Sequence, residues 1–270
     1  MSETVNGAQV SGQANGGVVV LVADGALANI IVNGLSERLA DRSGPLTVIA
    51  EEPEGKLKVV KRRIKILGIV PALGQLAFGL VQRALWPNTR RIHRIWSSYG
   101  LDPRSPHAVT IHRVPSVNSL ECRALLRELR PAVVAVYGTR ILKRATLLSV
   151  DAPFINYHAG INPKYRGQHP GYWALAEGDE DNAGVTIHLV DQGVDTGAVL
   201  YQARVLFGED DTIASYQHVQ AAHALPLFAR AINDALQGRL KPRAVALPSR
   251  QYFPPTLWRY LSNGLTKGVW

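Results

Sequence analysis

Asn156 and His158 stand two positions apart at the end of the apolar run "FINYH", and Asp195 follows in the glycine-bounded turn "QGVDTG". An amide that donates hydrogen bonds, an imidazole that titrates near neutrality and a carboxylate are residue types that steady developing charge and move protons. Each also has an ordinary reading. An Asn after a strand caps a turn, a His there is often a satisfied structural residue, and Asp195 is a plausible turn acid. What sets these three apart is the sequence that joins them. "INPKYRGQHPGYWAL" supplies a proline-and-glycine loop with a basic pair, then a helix, and "GVTIHLVDQGVDTG" brings the acid.

Elements able to position such a set are legible along the chain. "GVVVLVADG" reads as a buried parallel strand, Val18 to Ala23, followed by a helix over "ALANIIVNGLSERLADR". "PLTVIAEE", "VTIHRVP", "AVVAVYG" and "FINYH" read as four more strands, with a helix from about Asn118 to Arg130. "GVTIHLV" and "AVLYQARVLF" can pair antiparallel at one edge, and a long helix bent at Pro226 closes the domain. Strands alternating with helices predict an α/β fold, a Rossmann-like doubly wound and mostly parallel sheet. Ligands in such sheets bind beyond the carboxyl ends of the strands. Asn156, His158 and Asp195 are expected at that rim.

The expected organisation is a disordered leader over 1–17, a catalytic domain over 18–238 with a basic helical insertion over about 56–104, and a basic, aromatic C-terminal tail over 239–270. The net charge of +9 is unevenly placed. Lys56 to Leu101 holds ten Lys/Arg and no acid, and Gln237 onward holds six more and no acid. Basic patches of this kind suit anionic partners or a solvated face. Inside the insertion, Ile66 to Gln82 carries no charge. Pro71 and its short length argue against a membrane-spanning helix; basic flanks suit an interfacial segment, and a helical hairpin packed on its own domain or a dimer interface is the alternative. The single cysteine, Cys122, excludes an internal disulfide and a cysteine metal cluster, and fits a reducing compartment.

The stretch from about Ala132 to Leu206 resembles the folate-dependent formyltransferases, in its Asn-x-His, its "PKYRG" loop and its "GVTIH…VDTG". The likeness is looser over Val18 to Glu51 and is lost over the insertion and tail. The resemblance implies the formyltransferase fold and a reaction in which a primary amine takes a formyl group from 10-formyltetrahydrofolate, with no metal. Carried onto this sequence, it makes Asn156, His158 and Asp195 the catalytic set. Asn156 would donate to the oxyanion, His158 would stabilise it or move protons, and Asp195 would hold the imidazole and raise its pKa. It places Arg140, Ile141 and Leu142 of "GTRILK" against the folate.

The acceptor is less determined. "VADGALANI" keeps Gly25 and Asn29 of the phosphate cradle of the glycinamide ribonucleotide enzymes, so both are candidate substrate ligands, with Asp24 opposing an anion there. The methionyl-tRNA enzymes carry a second domain, where this sequence has only a tail. "QHPGYWAL" is closer to the sugar N-formyltransferases, which makes Trp173 a candidate for the acceptor. The expectation is therefore an amino sugar or other small anionic amine. The alternatives are formyltetrahydrofolate hydrolysis, methionyl-tRNA or glycinamide ribonucleotide formylation, or a non-catalytic membrane- or nucleic-acid-binding protein on this scaffold. Cytoplasmic placement is expected; an anionic membrane surface or lipid-linked substrate at the insertion and a homodimer stand as open alternatives, and nucleic acid is not expected.

Overall fold

The computed structural model describes residues 16–43, 46–107 and 109–270. The leader expected over 1–17 therefore lies almost wholly outside the described residues. In chain order the elements are β1 (Val18–Ala23), α1 (Ala26–Ser43), β2 (Thr47–Glu51), α2 (Lys56–Leu67), α3 (Ile69–Leu85), α4 (Thr89–Tyr99), β3 (Thr110–Val114), α5 (Leu120–Leu129), β4 (Val133–Tyr137), α6 (Arg144–Leu147), β5 (Phe154–His158), β6 (Tyr165–Gly167), α7 (Pro170–Ala176), β7 (Gly184–Leu189), β8 (Val199–Arg204), α8 (Tyr216–Leu236), β9 (Arg250–Tyr252) and α9 (Leu257–Lys267).

A seven-stranded sheet runs in the order β3-β2-β1-β4-β5-β7-β8. The first five of these strands are parallel, and β7 and β8 are antiparallel additions. The doubly wound α/β expectation holds, and the two late strands close the edge as their short loop suggested. β1 and β4 are buried on both faces because helices cover both sides of the sheet. One face packs on α1 and α8 through Ile31, Leu35, Leu225 and Phe228; the other packs on α5 through Cys122 and Leu126. Ser119 starts α5 by accepting from the Cys122 amide at 3.2 Å. α8 runs through Pro226 as one helix.

Three helices replace the usual single crossover between β2 and β3. α4 is fastened to α8 and the segment leading into it: Arg91 makes a bidentate pair with buried Asp211 at 2.9 and 3.0 Å, and Trp96 Nε1 donates to His218 Nδ1 of α8 at 3.0 Å. Among the described residues no helix is long and apolar enough to cross a membrane. The tail lies back on the domain. β9 pairs in parallel with β6. Gln75 of α3 donates to the Pro254 carbonyl at 2.9 Å, and Phe78 meets Tyr260 of α9 at 5.0 Å. Insertion and tail thus share a small aromatic core with Tyr172, Tyr216 and Trp270.

The Trp96–His218 bond makes that packing sensitive to acid. His218 Nδ1 accepts, so the ring must be neutral, and burial pushes its pKa down to about 4. The unfolded chain then binds a proton that the folded chain refuses, so stability is complete above about pH 6.5 and falls as the pH drops toward 4. His218 alone is expected to remove about 3 kcal/mol across that window. Thermal unfolding followed by Trp fluorescence as a function of pH checks this. His218→Gln, which keeps an acceptor for the indole, is expected to remove that share of the acid slope.

Candidate active site

Successive strand side chains point to opposite faces. Asn156 and His158 therefore share one face at the exit of β5, while Tyr157 points into the core and stacks on Tyr137 at 5.2 Å. β7 runs antiparallel beside them and sets His188 opposite Asn156 and Thr186 opposite His158. Thr186 fixes the turn after β5: its hydroxyl donates to the Gly160 carbonyl at 2.6 Å and accepts from the Asn162 amide at 3.0 Å. Gly160 is needed there, since a Cβ would fall 2.8 Å from His158 Nε2 and 2.6 Å from the Tyr165 carbonyl.

The Asp195 backbone sits in the left-handed region, φ 52°, unusual for a residue other than glycine. That turn aims its carboxylate back at the strand ends. It lies 3.4 Å from His158 Nδ1 and 3.6 Å from His188 Nε2, and accepts from the Gly167 amide at 3.0 Å. Arg166 holds the same turn by donating to the Val194 carbonyl at 2.8 Å. The structure thus brings Asn156, His158 and Asp195 together.

The partners assign the protons. His158 Nε2 lies 2.8 Å from the Tyr165 carbonyl, which only accepts, so Nε2 carries hydrogen and Nδ1 is the basic atom facing Asp195. His188 Nδ1 lies 2.8 Å from the Leu189 carbonyl, so its Nε2 accepts the Asn156 amide N–H at 3.1 Å. Burial would raise the Asp195 pKa, but the positive charge that His158 or His188 gains on protonation and the Gly167 amide pull it well below the ordinary carboxylate range. His158 departs from the sequence expectation. Burial outweighs the attraction of Asp195 and the Tyr165 carbonyl, and its pKa is lowered rather than raised. A neutral imidazole beside a fixed carboxylate can accept a proton at Nδ1 and have the resulting cation stabilised at once.

These groups line a cavity of about 960 Å³ at the carboxyl ends of β4 and β5. Arg140, Ile141 and Leu142 line it too. The Arg140 amide donates to Glu51 at 2.6 Å, and its guanidinium reaches Glu51, the Pro115 carbonyl and the Glu52 carbonyl, which ties the loop down. The Ile141 carbonyl accepts from Asn118 at 2.9 Å, and Leu142 packs in the core. The α2 residues Arg62 and Arg63 and the tail residues Gln251 to Phe253 complete the wall.

The three candidate acceptor ligands are elsewhere. Asn29 donates to the Pro103 carbonyl at 2.9 Å and Asp24 pairs with Arg113 of β3 at 2.9 Å, so the turn at Gly25, at the carboxyl end of β1, is tied to β3 and the segment before it. Neither Gly25 nor Asn29 lines the cavity. Trp173 donates to the Phe253 carbonyl at 2.9 Å and packs on Tyr252, outside the cavity lining. His188 is the residue that sequence reasoning passed over. Its signal was a polar residue on the Thr186 face of a buried strand.

Residues 109–232 match the family model described as Formyl transferase. Asn156, His158, His188 and Asp195 all fall inside that match, and the insertion and tail fall outside it. A methionyl-tRNA formyltransferase of Anaeromyxobacter dehalogenans strain 2CP-C is 37% identical over 147 residues, 54% of this chain and 45% of its own length. One of Pelotomaculum thermopropionicum is 33% identical over 141 residues, 52% of this chain and 44% of its own. The chain spans about half the length of the curated relatives it matches. The formyltransferase fold recurs in phosphoribosylglycinamide formyltransferase of Anaplasma phagocytophilum, at TM-score 0.56 and 17% identity over 88% of this chain and 100% of that one. It recurs in an N-formyltransferase of Helicobacter canadensis in complex with folinic acid and dTDP-3-aminofucose, at TM-score 0.53 and 16% identity over 87% of this chain and 70% of that one.

Proposed function

We propose that this protein transfers a formyl group from 10-formyltetrahydrofolate to the primary amine of a small anionic metabolite, an amino sugar above all. One observation carries the reading: a carboxylate held between two imidazoles, with an oriented amide, at the wall of a large cavity. 10-Formyltetrahydrofolate, as co-substrate, supplies the formyl carbon. The cavity suits such a molecule in size, with Val136, Leu142 and Val190 as apolar wall. Asn156 has one N–H held by His188, and the other, without an acceptor among the described residues, can meet an oxygen gaining negative charge. His158 Nδ1 takes the proton shed by the attacking amine and returns it to the leaving nitrogen. Asp195 stabilises the imidazolium in between.

The anionic acceptor is supported by α2. Arg63 is partly buried, and burial together with neighbouring Arg62 lowers its pKa. Arg62 is matched by Glu54 at 2.8 Å, whereas Arg63 lines the cavity beside a like charge. A phosphate there would relieve both burdens. The test is release of tetrahydrofolate, followed by absorbance, against nucleotide-linked amino sugars, glycinamide ribonucleotide and a no-amine control. Release that requires one anionic amine is expected. Arg63→Gln is expected to raise the KM of that amine about tenfold or more, with kcat nearly kept. Release without amine would replace this reading with hydrolysis. The identity with methionyl-tRNA formyltransferases favours a second reading, in which charged initiator tRNA is the acceptor; it belongs in the same panel.

A further inference from the structure

We propose that α2 and α3 form a docking surface for an anionic lipid bilayer. α3 is apolar on two sides. Its inner side, Ala72, Gln75 and Phe78, is buried under the tail. Its outer side is also apolar: Ile69, Val70, Leu73 and Leu80 are 62%, 67%, 56% and 71% exposed and share one helical face. A helix that is apolar all round needs cover on every side. Large apolar residues exposed singly elsewhere need no such account, but a helical face of them does.

The charge on α2, which packs beside α3, says what covers this face. Lys56, Lys58, Lys61, Arg62 and Lys65 stand exposed on α2, with Leu57 and Ile66 exposed among them. Lys61 and Lys65 are like charges one helical turn apart, which disfavours the helix in water; Lys58 and Arg62 are spaced the same way, with Arg62 offset by Glu54 at 2.8 Å. No acid lies between Lys56 and Leu101. A symmetric dimer through this face would set the patch against its own copy and bring lysines toward lysines. A bilayer with anionic headgroups accepts both parts. The outer side of α3 enters the headgroup–acyl boundary, and the α2 cations meet the phosphates. α2 is also a wall of the cavity, through Arg62, Arg63, Ile66 and Leu67. Docking therefore holds the cavity at the lipid surface, where an amine carried on a lipid phosphate would be presented. That last step rests on the proposed function; the docking does not.

Vesicle sedimentation of the full chain tests it without reading activity. Binding is expected to phosphatidylglycerol–phosphatidylcholine vesicles and not to phosphatidylcholine alone, and to weaken as salt rises. Leu73→Glu with Leu80→Glu is expected to abolish it, while Leu206→Glu, a leucine 74% exposed outside the patch, leaves it intact. Reversing Lys58, Lys61 and Lys65 to Glu, a second variant that leaves the apolar face whole, should weaken it by about fivefold or more per residue. No binding to the mixed vesicles by folded protein would overturn the proposal. So would equal binding to both vesicle types, or a soluble dimer that Leu73→Glu dissociates.

Discussion

Asp195→Asn is expected to lower kcat about a thousandfold while leaving the fold in place. The amide still accepts from the Gly167 N–H, so the turn keeps its anchor. What is lost is the negative charge 3.4 Å from His158 Nδ1. Burial already holds His158 below its ordinary pKa, so without the carboxylate its protonated form has little left to support it. The pH profile separates this from mere damage. Under the proposed mechanism His158 of the parent protein would serve as a base only while neutral, so activity is expected above its lowered pKa and is expected to be lost as pH falls through it. In Asp195→Asn that acid limb should move further down in pH, along with the fall in kcat. A loss under about tenfold, with the limb unmoved, would make Asp195 the simple turn acid of the ordinary reading.

The second large effect is on stability. Arg91→Ala is expected to cost about 2–4 kcal/mol, somewhat below the usual cost of removing one partner of a fully buried ion pair. The Asp211 side chain is 1% exposed and loses a bidentate partner, although the Gly208 amide and the Ser215 hydroxyl remain. The Arg91 side chain keeps 25% of its surface in water, which sets the discount. Urea unfolding gives the midpoint shift. Because the pair fastens α4 to the segment leading into α8, the loss should be accompanied by a change in Trp96 fluorescence. An unshifted midpoint would mean that the insertion is held by its apolar contacts alone.

The fold was readable because its signals are local. A run such as "GVVVLVADG" is apolar on both faces and closes at a turn, which already describes a buried parallel strand. Asn156 and His158 were readable as a pair because strand periodicity places them on one face without any knowledge of the rest of the chain. Their neighbour His188 was harder. Its role depends on the register of β5 against β7, and register is a property of two segments at once. Gly25, Asn29 and Trp173, which do not line this cavity, were hard to place for a related reason. A glycine turn after β1 looks the same whether a ligand or Pro103 occupies the partner groups, and Trp173 is satisfied by Phe253, a residue eighty positions on. The lowered pKa of His158 could not be read either, because its neighbours in sequence do not show how deeply the ring is buried.

The pairing of β6 with β9 has a consequence for which parts of the chain complete the site. Gly167, whose amide seats the Asp195 carboxylate, adopts φ 91° and lies so close to the Tyr252 carbonyl that a Cβ would come within 2.3 Å. The Gln168 amide donates to that same carbonyl at 3.0 Å. A growing chain that has reached Gly238 holds every strand of the seven-stranded sheet, yet it lacks the strand that clamps this loop over the acid. The sheet and the clamp over the acid are thus supplied by separate stretches of the chain, and a truncation after Gly238 would keep every strand of the sheet while removing the partner that packs on Gly167.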